Sequence, residues 1–380
     1  MILVTWLLLL GLTATACGAD SASPPAAKPP EAAVPLASQG PYGVGAQVME
    51  VVDPSREGRS ISYTVWYPAI TDRDTPTGDA PPDRAGAPYP VVLTSLDFAT
   101  ESRIGSHFVS HGYVLVATRH PANDGWAGTW VLDTAVDRVF ALDALDAATE
   151  ETLAGLADTS SAAVVDYSND TIIGLALAGA RIDPDFYRTA CANAGDQPPF
   201  DPALTTWDWG DLMAWNCMTD EEWQAFTEYG AELGVASADG LWASLSDERI
   251  KAVIPAGPEG AWLYGEEGLG AASVPTLLWA GSEDDVNVYA FETGFLQEHL
   301  GSPTDLITVV GGDHFSAILD LYTLARFRLF ATAFFDLHLK GDTGNAGFFT
   351  QQFIEDDLPA LDLGVTVGTA GPLELGFVEP

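Results

Sequence analysis

Three side chains of complementary chemistry, Ser168, Asp284 and His314, follow one another 116 and then 30 residues apart. Each lies just beyond a short apolar run with strand character, at residues 162–165, 276–280 and 306–310. A hydroxyl becomes a nucleophile when an imidazole takes its proton, and a carboxylate that fixes the imidazole's tautomer and offsets its charge completes the arrangement. Nucleophile, acid and base in that chain order suit attack on a carbonyl carbon. His314 stands out because it occupies a loop after Gly311-Gly312-Asp313, whereas His107, His111, His299 and His338 lie on or beside expected helices.

Residues so distant in sequence meet only where strand ends converge, and parallel strands joined by helical crossovers align their carboxyl ends along one edge. The chain supplies such a pattern. Residues 46–52 and 60–67 read as strands, the second alternating and rich in β-branched and aromatic side chains. The apolar runs at 90–95 and 113–118 read as strands buried on both faces, with a helix at 104–110 between them. Helices at 132–150 and 171–180 flank the strand at 162–165, and strands follow at 250–255, 276–280 and 306–310. A closing helix at 318–340 carries Phe327, Phe330, Phe334 and Phe335 toward the sheet. Residues 183–246 break the rhythm with Trp207, Trp209, Trp215, Trp223, Trp242 and two cysteines. This stretch is expected to be an inserted cap shaping a pocket, with a satellite core of tryptophans as the alternative.

With 380 residues, 47% of them hydrophobic, the chain can bury one large α/β core; we read one domain over residues 42–380 with the cap inserted. Against 54 acidic residues stand 15 basic ones, and the formal charge is −39. Such a surface repels phosphate backbones and anionic headgroups within a Debye length, which excludes nucleic-acid binding. A solvated surface suited to halophilic conditions, where mobile ions screen self-repulsion, accounts for the imbalance. A site for a cation or a basic partner is the alternative.

Residues 2–12 form an apolar run too short to span a bilayer, followed by Ala14-Thr15-Ala16-Cys17. A signal peptide over 1–17 is expected. Ala16-Cys17 resembles a bacterial lipobox that would lipidate Cys17, although Ala14 stands where leucine is usual. Ala14-x-Ala16 also fits ordinary cleavage, and an uncleaved anchor is the third option. Residues 18–41, rich in Ala, Ser and Pro, read as a disordered tether. The expected location is the bacterial envelope, with membrane contact through the N-terminal lipid alone, or else the periplasm or the medium. In an exported chain, Cys191 and Cys217 are expected to form one disulfide worth roughly 3 kcal/mol, the alternative being two buried thiols.

Several strings, in order, carry a resemblance: Asp53-Pro54-Ser55-Arg56, Val65-Trp66-Tyr67-Pro68-Ala69, Ser110-His111-Gly112-Tyr113-Val114, Leu175-Ala176-Leu177-Ala178-Gly179, Asp247-Glu248-Arg249-Ile250-Lys251-Ala252, Val274-Pro275-Thr276-Leu277, Gly281-Ser282-x-Asp284, Gly312-x-His314-Phe315 and Phe334-Phe335. The chain resembles exported esterases of the α/β-hydrolase fold, of the dienelactone hydrolase-like or platelet-activating-factor acetylhydrolase-like kind. The resemblance implies a mostly parallel central sheet flanked by helices, with Ser168 as nucleophile, Asp284 as acid and His314 as base. Asp285 is the neighbour that could replace Asp284. The implied oxyanion donors are the backbone N–H of Asn169 and one N–H near Leu96 or Asp97. The implied substrate is a small-molecule ester, short-chain or phospholipid-type, and nothing calls for a cofactor or a metal.

The chain departs from that family's Gly-x-Ser-x-Gly turn, which here reads Asp166-Tyr167-Ser168-Asn169-Asp170. Each replacement adds a carboxylate where helix and strand approach closely, and negative charge there opposes a developing oxyanion. The family's His-Gly after the third strand is Leu96-Asp97, and loss of one oxyanion donor costs on the order of a hundred- to thousand-fold in rate. Two readings therefore stay open, a serine esterase and a catalytically impaired hydrolase-fold protein that binds a ligand or partner. A lesser one is a cation site built from Asp166, Asp170, Asp284 and Asp285.

Overall fold

Alternation of side chains across a pleated strand explains why the apolar runs are continuous. In the computed structural model, which describes residues 33–101, 103–118, 129–196, 200–237, 240–360 and 374–378, Val164, Val253 and Leu278 join the core on one face of the sheet. Their neighbours Val165, Ile254 and Trp279 join the core on the other. A strand covered on both sides has no polar face to offer.

The strands are β1 Gly43–Asp53, β2 Arg59–Ala69, β3 Thr77–Gly78, β4 Tyr89–Ser95, β5 Val114–Thr118, β6 Ala157–Tyr167, β7 Ile250–Ala256, β8 Thr276–Gly281, β9 Thr304–Val310 and β10 Glu374–Val378. They form one ten-stranded sheet in the order β10-β9-β8-β7-β6-β4-β5-β2-β1-β3. The central run from β5 through β4, β6, β7 and β8 to β9 is parallel. The β1–β2, β2–β5 and β9–β10 pairings are antiparallel. The chain steps from β4 to β5 on one side, then returns to lay β6 on the other. That reversal opens a crevice at the carboxyl ends of β4 and β6, the usual place for a ligand in a wound sheet.

The helices are α1 Ala33–Ala37, α2 Leu96–Glu101, α3 Ile104–Ser110, α4 Trp130–Asp146, α5 Thr171–Leu177, α6 Pro184–Asn193, α7 Trp209–Asn216, α8 Asp220–Glu232, α9 Ala261–Gly270, α10 Glu292–His299, α11 Ser316–Leu319 and α12 Leu321–Leu339. Buried residues of α4, α5 and α9 share one core, and those of α1, α3 and α12 share the other. Phe327, Phe330, Phe334 and Phe335 are all buried there. The expected closing helix is divided, α11 ending before α12 begins.

The expected signal segment, Cys17 and residues 18–32 lie outside the described residues. The tether expected to run to Pro41 is corrected at its far end: Ala33 and Ala37 are buried, in a helix packed on α12. Small side chains let the two helices approach, which a reading based on Pro and Ala content overlooked. Between α5 and β7, the described residues of 183–246 include α6, α7 and α8. Oxygens of Asp183, Asp208 and Thr219 accept backbone N–H bonds at the starts of these helices, so part of the acidity serves helix capping. Cys191 and Cys217 are disulfide-bonded, which ties α6 to the end of α7. Among the described residues no helix is long and apolar enough to cross a membrane.

Candidate active site

Ser168 follows β6 directly and has φ +58°, a left-handed conformation that costs a non-glycine residue about 1–3 kcal/mol and persists only where the surroundings enforce it. Here Thr171, fully buried at the start of α5, holds the turn: its hydroxyl donates to the Ser168 carbonyl (2.6 Å) and accepts the Glu259 N–H (2.8 Å). The turn therefore projects Ser168 Oγ above the sheet edge.

Asp284 and His314 come from the turns after β8 and β9. Asp284 Oδ1 accepts the backbone N–H groups of Val286 (3.1 Å) and Asn287 (2.9 Å). Its Oδ2 lies 2.8 Å from His314 Nδ1, and His314 Nε2 lies 2.9 Å from Ser168 Oγ. A carboxylate only accepts, so Nδ1 carries the proton and donates to Asp284, leaving Nε2 to accept from the serine hydroxyl. Asp284 and His314 are 3% and 2% exposed, which strengthens both contacts.

The imidazole is held on two further sides. Tyr167 stacks on it at 5.0 Å between ring centroids and donates its hydroxyl to the His314 carbonyl (2.9 Å). Gly257, at φ +52°, passes so close that a Cβ there would lie 3.1 Å from His314 Cε1. Asn287 donates to the Gly257 carbonyl (2.8 Å), linking the acid's turn to that backbone. Tyr167 entered the sequence reading only as a neighbour of the serine, and Gly257 did not enter it.

The remaining expected residues divide. Asn169 lines the same cavity as Ser168 and His314. Leu96 and Asp97 open α2 after β4, beside the serine turn, since Phe98 stacks on Tyr167 at 5.6 Å. They are not among the cavity's described walls. Asp285 does not substitute for Asp284: its carboxylate accepts from the Thr206 hydroxyl and its carbonyl from Thr205 (2.6 Å). The aspartates also fail to converge on a cation site, and among the described residues no group of three or more His, Cys, Asp or Glu is arranged to hold a metal ion.

The charge expected from Asp166 is compensated. Arg138 of α4, fully buried, donates to both carboxylate oxygens of Asp166 at 2.6 and 2.8 Å. Space for that carboxylate exists because Gly174 of α5 lacks a side chain: a Cβ there would lie 3.3 Å from Asp166 Oδ2. Asp170 stays partly buried at the start of α5, near enough to Glu259 to raise that group's pKa.

A cavity of about 310 Å³ opens beside Ser168. Trp207, Trp215 and Phe200 from the stretch between α5 and β7 wall it, together with Trp262 of α9. Trp223 and Trp242 instead pack with Tyr187 and Phe226. Two buried carboxyl groups that sequence reasoning missed, Glu259 and Glu292, complete the wall. Burial pushes Glu259 well above the usual carboxylate range, with the charges of Glu292, Asp284 and Asp170 adding to it. Burial likewise pushes Glu292 up to about 7, although N–H bonds from Ala261 and Gly260 (both 2.9 Å) and the start of α9 favour its charge. Glu259 offered only an acidic residue beside Gly260 shortly after a strand, which a chain this acidic offers in many places, and Glu292 offered no local signal.

No protein-family model matches this chain, and no curated protein matches it either. The functional reading therefore rests on the site.

Proposed function

We propose that this chain is an exported serine hydrolase of the α/β-hydrolase fold that cleaves small-molecule carboxylic esters, short-chain or phospholipid-type, with residues 183–246 as its cap. The observation that carries the reading is Ser168 at positive φ with its Oγ 2.9 Å from a histidine whose other nitrogen meets Asp284. A strand-to-helix turn presenting a strained serine, followed in the chain by acid and then base, is the arrangement that acyl-transferring serine enzymes of wound sheets share.

In this reading His314 Nε2 takes the Ser168 proton as Oγ attacks the ester carbonyl. Asp284 holds the imidazolium that forms. The tetrahedral oxyanion accepts from the Asn169 N–H and from an N–H at the start of α2. Collapse then expels the alcohol, which His314 protonates, and water repeats the sequence to release the acid. Compensation of Asp166 by Arg138, and the upward pKa shift of Glu259, lessen the negative charge facing that oxyanion.

One observation favours the second reading, an impaired hydrolase-fold protein that binds a ligand: Asn169 lines the cavity, whereas Leu96 and Asp97 are not among its described walls. The deciding experiment uses protein purified in high salt, assayed with short-chain nitrophenyl esters and a fluorophosphonate probe. Turnover and labelling, both abolished in Ser168→Ala, establish the hydrolase. An unlabelled serine in well-folded protein without turnover favours the binding module.

A further inference from the structure

Two buried oxygens of the cavity wall lack a hydrogen-bond partner among the described residues, Glu259 Oε1 and Asn216 Oδ1. Their residues are 3% and 5% exposed and belong to different segments, Asn216 ending α7 and Glu259 preceding α9. Asn216 Oδ1 is an acceptor, since Asn216 Nδ2 already donates to the Leu212 carbonyl (3.1 Å), and Glu259 Oε1 is one whenever that carboxyl is ionised. A buried acceptor without a donor has lost its bonds to water and gained nothing in exchange. Two of them on one cavity call for a ligand that brings N–H groups.

Charge narrows the choice. Glu259 feels Glu292, Asp284 and Asp170, and no lysine or arginine is among the described residues of the wall. Glu259 therefore resists ionisation unless a positive charge arrives from outside the protein, and a hydroxyl or amide donor would not provide one. The rest of the wall suits a cation as well: Phe200, Trp207, Trp215 and Trp262 supply aromatic surface, which attracts positive charge when water is excluded. The Trp215 indole N–H bonds to the Glu259 carboxyl and holds it against that wall.

We propose that the cavity beside Ser168 is a subsite for a protonated amine whose N–H groups donate to Glu259 Oε1 and Asn216 Oδ1, so that the preferred ester carries an ammonium group. The word ester rests on the hydrolase reading; the amine site does not. The excess negative charge of the whole chain draws such substrates to the crevice.

The test compares three acetates of similar shape with the full chain: methylammoniopropyl acetate, which has two N–H groups, trimethylammoniopropyl acetate, which has the charge without an N–H, and isohexyl acetate, which has neither. The expected kcat/KM for the first exceeds both others by about tenfold or more, and Glu259→Gln and Asn216→Ala each shrink that ratio. Equal rates, or preference for the trimethylammonium or neutral ester, overturn the proposal. A binding arm uses Ser168→Ala and n-propylammonium chloride against tetramethylammonium chloride at equal ionic strength, read by tryptophan fluorescence. If no ester turns over but propylammonium binds more tightly and Glu259→Gln abolishes the difference, the hydrolase reading falls and the amine site stands. If esters turn over without preference and the two cations bind alike, the amine site falls and the hydrolase stands.

Discussion

Arg138 and Asp166 form a two-pronged ion pair at 2.6 and 2.8 Å, one fully buried and the other 1% exposed, two positions before Ser168. Neither charge has water to fall back on, so removing one strands the other. Arg138→Met should destabilise the protein by about 3–5 kcal/mol, whereas Arg138→Met/Asp166→Val should restore most of that loss. Urea denaturation of the two variants measures both. Recovery in the double variant shows that charge compensation, rather than the packing of α4, is what Arg138 contributes to the serine turn.

The neighbouring aspartates Asp284 and Asp285 should separate cleanly. Asp284 holds the His314 Nδ1 proton, while Asp285 is engaged by Thr205 and Thr206. Asp284→Asn should lower kcat by roughly four orders of magnitude, because the amide imposes the wrong tautomer on the imidazole. Asp285→Asn should leave kcat within about threefold, since loss of an exposed hydrogen bond moves little. Ester hydrolysis by both variants at one pH decides between them.

Strand positions and the serine, aspartate and histidine were legible because each depends on local pattern: an apolar run, then a polar residue at its carboxyl end. The helices α9 and α10 were not, since Gly260, Gly265, Gly268 and Gly270 argue against a helix by composition, yet α9 forms with Gly265 at φ +57° absorbing a bend against Phe186. The compensation of Asp166 was illegible for another reason. It joins residues 28 positions apart across a helix–strand contact, and nothing local to the turn announces that Gly174 makes room. The cavity's glutamates belong to the same class, because only tertiary burial distinguishes them from the many solvated acids of this chain.

The bridge between Cys191 and Cys217 spans 26 positions and ties α6 to α7, whose Leu212 and Asn216 wall the cavity. Cys191→Ala/Cys217→Ala should lower stability by about 3 kcal/mol if these helices unfold together with the sheet. If they open separately, the global denaturation midpoint stays put while amide exchange in residues 209–216 accelerates. Hydrogen exchange alongside chemical denaturation separates the two, and either result fixes how tightly the cavity's outer wall is coupled to the strands that carry the serine and its partners.

Glu292 makes stability fall as pH rises. Its folded pKa, about 7, stands above the ordinary 4.5, so between those values the folded state binds more proton than the unfolded chain and each rise in pH favours unfolding. Glu292→Gln keeps the side chain's size, accepts from the Gly260 and Ala261 N–H groups through its amide oxygen, and does not titrate. Wild type should therefore lose stability relative to Glu292→Gln on going from pH 5 to pH 8, measured by urea denaturation in constant high salt so that surface charge is equally screened. Removing the charge of Glu292 also eases the ionisation of Glu259, so the difference between the two proteins reports the pair rather than Glu292 alone. A difference independent of pH would mean that Glu292 is ionised throughout, held by the two N–H bonds and the start of α9 against the burial that opposes its charge.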